Sequence, residues 1–351
     1  MMKKLFSLLL VAALMLTLFA GCSKVPEKPS FEEAATMKFE QTTKRVESDG
    51  TVRIAGLVGP TGIGMSYLFK SIDEGKSLNK YEYTIESDPS LVGQKLLSGE
   101  LDIAALPTNV AATLYNKSEG KIKIISLATL NVLYLVEMGE GSETLADLKG
   151  GKVYITGQGS APEYVMQFLL EKNGLEVGTD VKLNFDFPSH AELAALVAKN
   201  RVSHCVLPEP NATISTTKGD KENITIDLGK EWTKAVEGTD AEGSEICMGC
   251  IAVNSEFLKD RPKAVSAFLR EYKASVSNVK SQTTAPEVVA GYKIVESADV
   301  AKEIIPRCNI VCITGDEMQE KTSGFLKVLF DSNNASVGGK LPDDNFYYKD
   351  K

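Results

Sequence analysis

The 351-residue chain has few of the groups on which enzymes rely, and its only histidines are His190 and His204. It has no His-x-x-x-His pair, no carboxylates grouped around a histidine and no nucleophile elbow, so acid–base, metal and nucleophilic catalysis are disfavoured. His204 lies within an apolar strand pattern, where we expect a structural role. We therefore predict no catalytic residue, no cofactor and no metal site.

Runs of basic residues are also absent. The chain has 39 lysines and arginines against 47 acidic residues, a formal net charge of −8. Removing residues 1–21, with Lys3 and Lys4, would make the charge −10. Nucleic-acid binding depends on neutralising phosphates, so we predict no nucleic-acid partner.

The first residues form the pattern of a bacterial lipoprotein signal. Lys3 and Lys4 precede an apolar run, Leu8–Ala20, which ends at Gly21 and Cys22. The run is shorter than the roughly 20 apolar residues that a membrane-spanning helix needs. We predict a signal peptide over 1–21, lipidation of Cys22, a location on the outer face of the cell membrane and a flexible tether over 22–50.

From Thr51 onwards, short apolar runs alternate with helical segments, which predicts an α/β fold. Glycines at 75, 99, 120 and 174 mark expected helix ends, and Pro262 marks the start of a long helix. After that helix we expect mostly helical structure. We predict lobe I over 51–135 plus 247–351 and lobe II over 136–246, joined by extended segments near 131–137 and 246–253.

Two glycine-rich turns each follow a predicted strand and precede a helix, at 60–66 and 156–162. Such turns can expose backbone N–H groups to a ligand, although capping of the helix is the alternative. Neither turn completes a Walker loop or a dinucleotide fingerprint. Other candidates follow strand ends, where Glu209 could bind the ligand or lock the lobes together. The predicted ligand contacts are Thr61, Gly62, Gly64, Met65, Thr108, Asn109, Tyr134, Gln158, Gly159, Ser160, His190 and Glu209.

None of the six arginines lies within these motifs. A bidentate arginine is the usual means of holding a carboxylate or sulfonate tightly, whereas a helix dipole contributes only about 0.3–2 kcal/mol. We therefore expect a neutral or heteroaromatic ligand and keep a small anion as the alternative.

Beyond Cys22 the chain has five cysteines, an odd number. Cys247 and Cys250 have the spacing of half a metal or redox site, and Cys308 and Cys312 could supply two further thiolates. The segment at 247–253 also fits a strand, which favours buried thiols. A metal site, a disulfide and free thiols all stay open at this point.

Four segments resemble the extracytoplasmic solute-binding lipoproteins of ABC importers, of the nitrate/sulfonate/taurine and thiamine-precursor type. They are Gly59–Met65, Gly99–Asn109, Leu207–Pro210 and Val253–Leu258, and the tail segments Gly338–Pro342 and Phe346–Tyr348 resemble one branch of this group. The resemblance implies a two-lobed type II periplasmic-binding fold with a ligand cleft, a two-strand hinge and a membrane permease as partner. The alternatives are an enzyme of the same fold, from thiamine-pyrimidine or menaquinone synthesis, and a scaffold lipoprotein without a ligand.

Overall fold

The computed structural model describes residues 50–138, 141–187, 189–199, 201–218 and 222–349. The predicted signal peptide, Cys22 and all but the last residue of the predicted tether lie outside these ranges.

The described residues form eleven strands in two sheets. The strands are β1 Val52–Leu57, β2 Tyr81–Glu86, β3 Ile103–Pro107, β4 Ile122–Leu130, β5 Leu133–Met138, β6 Lys152–Ile155, β7 Lys182–Asn184, β8 His204–Pro208, β9 Glu222–Asp227, β10 Cys247–Asn254 and β11 Ile310–Ile313.

Helices cover both sheets. They are α1 Pro60–Ile63, α2 Ser66–Asp73, α3 Pro89–Ser98, α4 Thr108–Lys117, α5 Ala161–Lys172, α6 His190–Val197, α7 Asn211–Lys218, α8 Leu228–Val236, α9 Ser255–Asp260, α10 Pro262–Ser281, α11 Ala285–Gly291, α12 Ala298–Ile304 and α13 Gly315–Ser332.

Each sheet is mixed. The first has the order β11-β4-β10-β3-β1-β2, in which β1 runs parallel to β2 and β3, and β10 runs antiparallel to β3 and β4. The second has the order β7-β6-β8-β5-β9, with β6 parallel to β7 and β8. Residues Ile103 to Leu106 of β3 are fully buried, as expected for a strand covered on both faces.

The chain passes from the first sheet to the second between β4 and β5, and returns before β10. The α/β class and the two-lobed architecture are as predicted. All of β5 pairs within the second sheet, although the predicted boundary at 135 divides this strand. The exact lobe boundaries stay a prediction.

Local signals explain most helix ends. Asp88 accepts a hydrogen bond from Ser90 N at the start of α3, and the helix closes at Gly99, whose φ of 78° favours glycine. The 20-residue α10 begins at Pro262, where a missing N–H costs nothing.

Two strands could not be recognised in full from the local pattern. Strand β7 is only three residues long, and the region after α10 is mostly helical, as expected, but also contains strand β11. Strand β11 pairs with Leu127 and Thr129 of β4, so a distant partner stabilises a segment that is too short to recognise by its own pattern.

The C-terminal tail packs against the first lobe. The Asn116 side chain on α4 donates to the carbonyl groups of Val337 and Lys340, at 2.7 and 2.6 Å. Further along the tail, Tyr348 N donates to Ile124 O of β4 at 2.9 Å. The tail is therefore part of the fold of this lobe.

Candidate functional site

Three threonines, Thr61, Thr108 and Thr129, lie near the carboxyl ends of strands of the first sheet. In the sheet register, Gly249 at the start of β10 lies beside Pro107 and Thr129, at the carboxyl ends of β3 and β4. A Cβ atom added to Gly249 would lie 2.7 Å from Thr61 Oγ1 and 3.2 Å from Thr129 Oγ1. The missing side chain of Gly249 therefore lets two hydroxyl groups converge at this edge of the sheet.

One of these hydroxyl groups, Thr129 Oγ1, is buried and has no hydrogen-bond partner among the described residues. The Thr108 side chain is also buried, and its hydroxyl group lies beside the thiol of Cys250. A buried hydroxyl group without a partner costs free energy that a bound polar group would recover. Thr108 was predicted from sequence, whereas Thr129 was missed because it lies within the apolar strand β4. The neighbouring Asn109 is half-buried.

The glycines of the first turn serve packing. A Cβ atom on Gly62 would clash with Leu57 O, and one on Gly64 would lie 2.8 Å from Tyr272 Oη. Met65 is fully buried in the core. The amides of Gly62 and Met65 donate to Gly59 O and Gly62 O, so the turn itself uses backbone donors that the sequence suggested were free.

In the second sheet, Thr156 and His190 come together at the ends of neighbouring elements. The Thr156 hydroxyl group follows β6 and hydrogen-bonds Nδ1 of His190, the first residue of α6. Burial lowers the pKa of His190 to about 4, so the imidazole is neutral near pH 7.

The second glycine-rich turn closes on itself. Gly159 N donates to the Glu163 carboxylate at 2.5 Å, and both the amide and the hydroxyl group of Ser160 donate to Gly157 O. The predicted capping of α5 by the Ser160 side chain is wrong. Gln158 and Gly159 are exposed and Ser160 is half-buried.

An ion pair joins the two lobes. Arg307, which follows α12, donates from Nε to Glu209 Oε1 at 2.6 Å, and its guanidinium group lies 4.6 Å from the Tyr134 ring centroid. Tyr134 Oη donates to Arg307 O at 3.1 Å. Tyr134 lies in β5 of the second sheet, and Glu209 directly follows β8 of the same sheet. Arg307 could not be identified from sequence, because no motif relates it to residues about one hundred positions earlier.

Polar residues of both lobes line a cavity of about 270 Å³ beside this ion pair. Arg307, Tyr134, Asn131, Asn309, Asp227 and Lys230 contribute to its wall. Of these residues, Asn131 lies between β4 and β5, in the first segment that crosses from one lobe to the other.

The cysteines that the structure describes are free thiols. Cys205, Cys247, Cys250 and Cys308 are buried, and Cys312 is partly buried. Burial raises the pKa of all five, to about 12 for Cys250. Within the described ranges, no three His, Cys, Asp or Glu side chains group as a metal site.

Comparison with known proteins identifies the family. Residues 77–283 match the family described as "ABC transporter, phosphonate, periplasmic substrate-binding protein". The match covers more than half of the chain, which therefore belongs to this family. A search of curated proteins gave no significant match.

Solved structures share the fold. An ABC transporter protein from Parabacteroides distasonis is 25% identical with a TM-score of 0.71, over 86% of this chain and 100% of that one. The periplasmic aliphatic sulphonate binding protein SsuA from Escherichia coli is 13% identical with a TM-score of 0.68, over 87% and 94%. The periplasmic nitrate-binding protein NrtA from Synechocystis is 15% identical with a TM-score of 0.56, over 84% and 83%.

The protein is the substrate-binding component of an ABC transporter. Its family acts outside the cytoplasm, captures a small molecule for import and works with a membrane permease, which confirms the function predicted from sequence. The family and these neighbours are transport proteins and not enzymes. In the part of the chain that the structure describes, no helix is long and apolar enough to cross a bilayer.

Proposed function

We propose that this receptor captures a small, uncharged polar solute in the cleft between lobe I (51–135 plus 247–351) and lobe II (136–246). The carboxyl ends of strands in open α/β sheets are where ligands bind, and the candidate side chains lie at such ends in both sheets. Thr61, Thr108, Asn109 and Thr129 belong to the lobe I wall. Gln158, Ser160 and His190 belong to the lobe II wall.

The observation that carries this proposal is the pairing of Arg307 with Glu209. The wall residues named above offer hydroxyl groups, amides and a neutral imidazole. Arg307 and Lys230, two cations on the wall of the cavity between the lobes, already pair with the carboxylates of Glu209 and Asp227. A tightly bound anion needs an available cation or several free amides, and both glycine-rich turns use amides internally.

A small anion is the second candidate ligand. The names of the family and of two structural neighbours refer to phosphonate, sulphonate and nitrate. The polar cavity favours this candidate, because the cationic residues Arg307 and Lys230 both line it.

Native mass spectrometry of residues 23–351, purified without refolding, would test the ligand class. A stoichiometric uncharged solute should be released on denaturation, and adding it back should raise the melting temperature. A co-purified anion that restores this increase would contradict an uncharged ligand. Solute recovered with changed mass after incubation would instead indicate turnover.

Two alanine substitutions test the position of the site. With the solute in hand, Thr61→Ala and Ser160→Ala should each weaken binding about tenfold, the effect of losing one hydrogen bond to a buried polar group. Ser281→Ala, at the end of α10, is the matched control because its hydroxyl group bonds only Ser277 O among the described residues. Unchanged affinity in both cleft variants would contradict this site.

We also propose that lipidated Cys22 anchors the receptor to the outer face of the membrane. The basic and apolar start of the chain and the small residue before Cys22 support this proposal. Cells expressing Cys22→Ala should release the protein from the membrane fraction and show no incorporation of a labelled fatty acid. Membrane retention of that variant would contradict lipid anchoring through Cys22.

A further inference from the structure

The Glu209 carboxylate is held firmly in front of Arg307. The side chain is fully buried, and its two oxygens accept hydrogen bonds from Thr213 N and Thr213 Oγ1 at 3.1 and 3.0 Å. The third contact is the 2.6 Å bond from Arg307 Nε. Glu209 therefore has donors from the helix that follows it, α7, and from the opposite lobe.

Arg307 is only partly used by this pairing. Arginine has five N–H donors, and the described residues offer its guanidinium group one hydrogen-bond partner, the Glu209 carboxylate. The Arg307 side chain is 35% exposed and lines the 270 Å³ cavity together with Tyr134, Asn131 and Asn309. Arg307, whose charge Glu209 compensates from one side, is thus part of the cavity wall.

We propose that Glu209 is a specificity-determining residue, whose carboxylate takes the place of a ligand oxyanion on Arg307 and excludes phosphonates, sulfonates and carboxylates from the cavity. This inference rests on the proposed uncharged ligand. An entering anion would either displace a carboxylate held by Thr213 or add a second negative charge near the first. Both routes oppose binding, because like charges repel strongly where water is scarce.

The proposal predicts an oxyanion site that appears when the carboxylate is removed. In Glu209→Gln and Glu209→Ser, Arg307 loses its charged partner, and its Nε donor becomes available to an oxyanion together with the remaining guanidinium N–H groups. Methylphosphonate and methanesulfonate are suitable probes, since both are small enough for the cavity and differ in charge.

Calorimetric titration of the full mature chain with each probe gives the test. We expect either Glu209 variant to bind at least one probe roughly ten- to a hundredfold more tightly than the wild type, the effect of one charge-assisted hydrogen bond. Adding Arg307→Gln to the variant should abolish the gain. Glu137→Gln is the matched control, because Glu137 is a buried carboxylate on β5 whose partners include Ser142 and His204.

Two Glu209 variants are used because either one could misfold. Glutamine keeps an oxygen that can accept hydrogen bonds from Thr213, whereas serine removes most of the side chain. The inference is overturned if a folded Glu209 variant binds neither probe more tightly than the wild type, or if the gained affinity survives Arg307→Gln. Either result leaves the proposal of an uncharged native ligand unaffected. Tight probe binding by the wild type overturns both this inference and the uncharged ligand.

Discussion

Asn131 and Ile246 exchange two hydrogen bonds where the two crossings between the lobes meet. Asn131 N donates to Ile246 O at 2.9 Å, and Ile246 N donates to Asn131 Oδ1 at 3.0 Å. The remaining side-chain group, Nδ2, donates to Glu245 at 2.7 Å. Since a hinge must bend without separating its strands, this pair of residues holds the crossings together.

Replacing Asn131 should destabilise the protein through this contact. Asn131→Gly keeps the left-handed backbone, φ 49°, and loses both side-chain bonds, so we expect a loss of roughly 1 to 3 kcal/mol in the free energy of unfolding. Asn131→Ala should lose about 1 kcal/mol more through strain at this φ. Urea denaturation measures both values. Wild-type stability in the alanine variant would contradict this role.

A double-mutant cycle should detect the contact between Gly249 and Thr61. A Cβ atom on Gly249→Ala would press on Thr61 Oγ1 and Cγ2, at 2.7 and 2.9 Å, and should cost roughly 1 to 3 kcal/mol. Thr61→Ala makes room, so the double variant should be more stable than the sum of the single effects predicts. Additive free energies of unfolding would show that the two residues do not touch.

The buried Glu271 should make stability depend on pH. Its carboxylate accepts bonds from Leu78 N at 2.6 Å and Tyr81 Oη at 2.5 Å, and burial raises its pKa. A raised pKa means that the folded state binds the proton more tightly than the unfolded state. The stabilisation by protonated Glu271 is therefore complete below the pKa of the unfolded state, about 4.3, and is lost as the pH rises through the pKa of the folded state.

The wild type should therefore gain stability relative to Glu271→Gln as the pH falls from 7 to 4. Urea denaturation at several pH values gives the difference, and exposed Glu287→Gln on α11 is the control. A difference between wild type and Glu271→Gln that is constant across this range would show that Glu271 does not titrate in it.

Thiol reactivity should follow burial. The thiolate is the reactive form, and burial keeps the pKa of the four buried cysteines high. In a Cys22→Ser chain, a colorimetric disulfide reagent should modify Cys312 first and the other thiols only after unfolding. Cys312→Ser should remove the early reaction. Rapid modification of any thiol in the native Cys312→Ser protein would contradict this order.

Elements with strong local signals could be predicted from the sequence. The end of α3 at Gly99 and the start of α10 at Pro262 depend on backbone preferences of single residues. The fully buried β3 was recognisable because its apolar run is continuous. The resemblance to solute-binding lipoproteins then supplied the arrangement of the lobes.

The candidate site was only partly predictable, because its chemistry depends on pairings between distant residues. The glycine-rich turns looked like loops that expose backbone N–H groups to a ligand, yet whether these amides are free depends on side chains such as Glu163 that fold back onto them. Thr129 lies in an apolar strand and becomes notable only beside Gly249. Arg307 acquires its partner only when the two lobes meet.

The position of β10 has a consequence for the order in which the chain folds. Strand β10 lies between β3 and β4, which precede it by more than one hundred residues, whereas the second sheet draws all its strands from 133–227. A chain that emerges with its N-terminus first can complete the second sheet while the first still has a gap at its centre. The lobe encoded in the middle of the gene can therefore become native before the lobe that begins it.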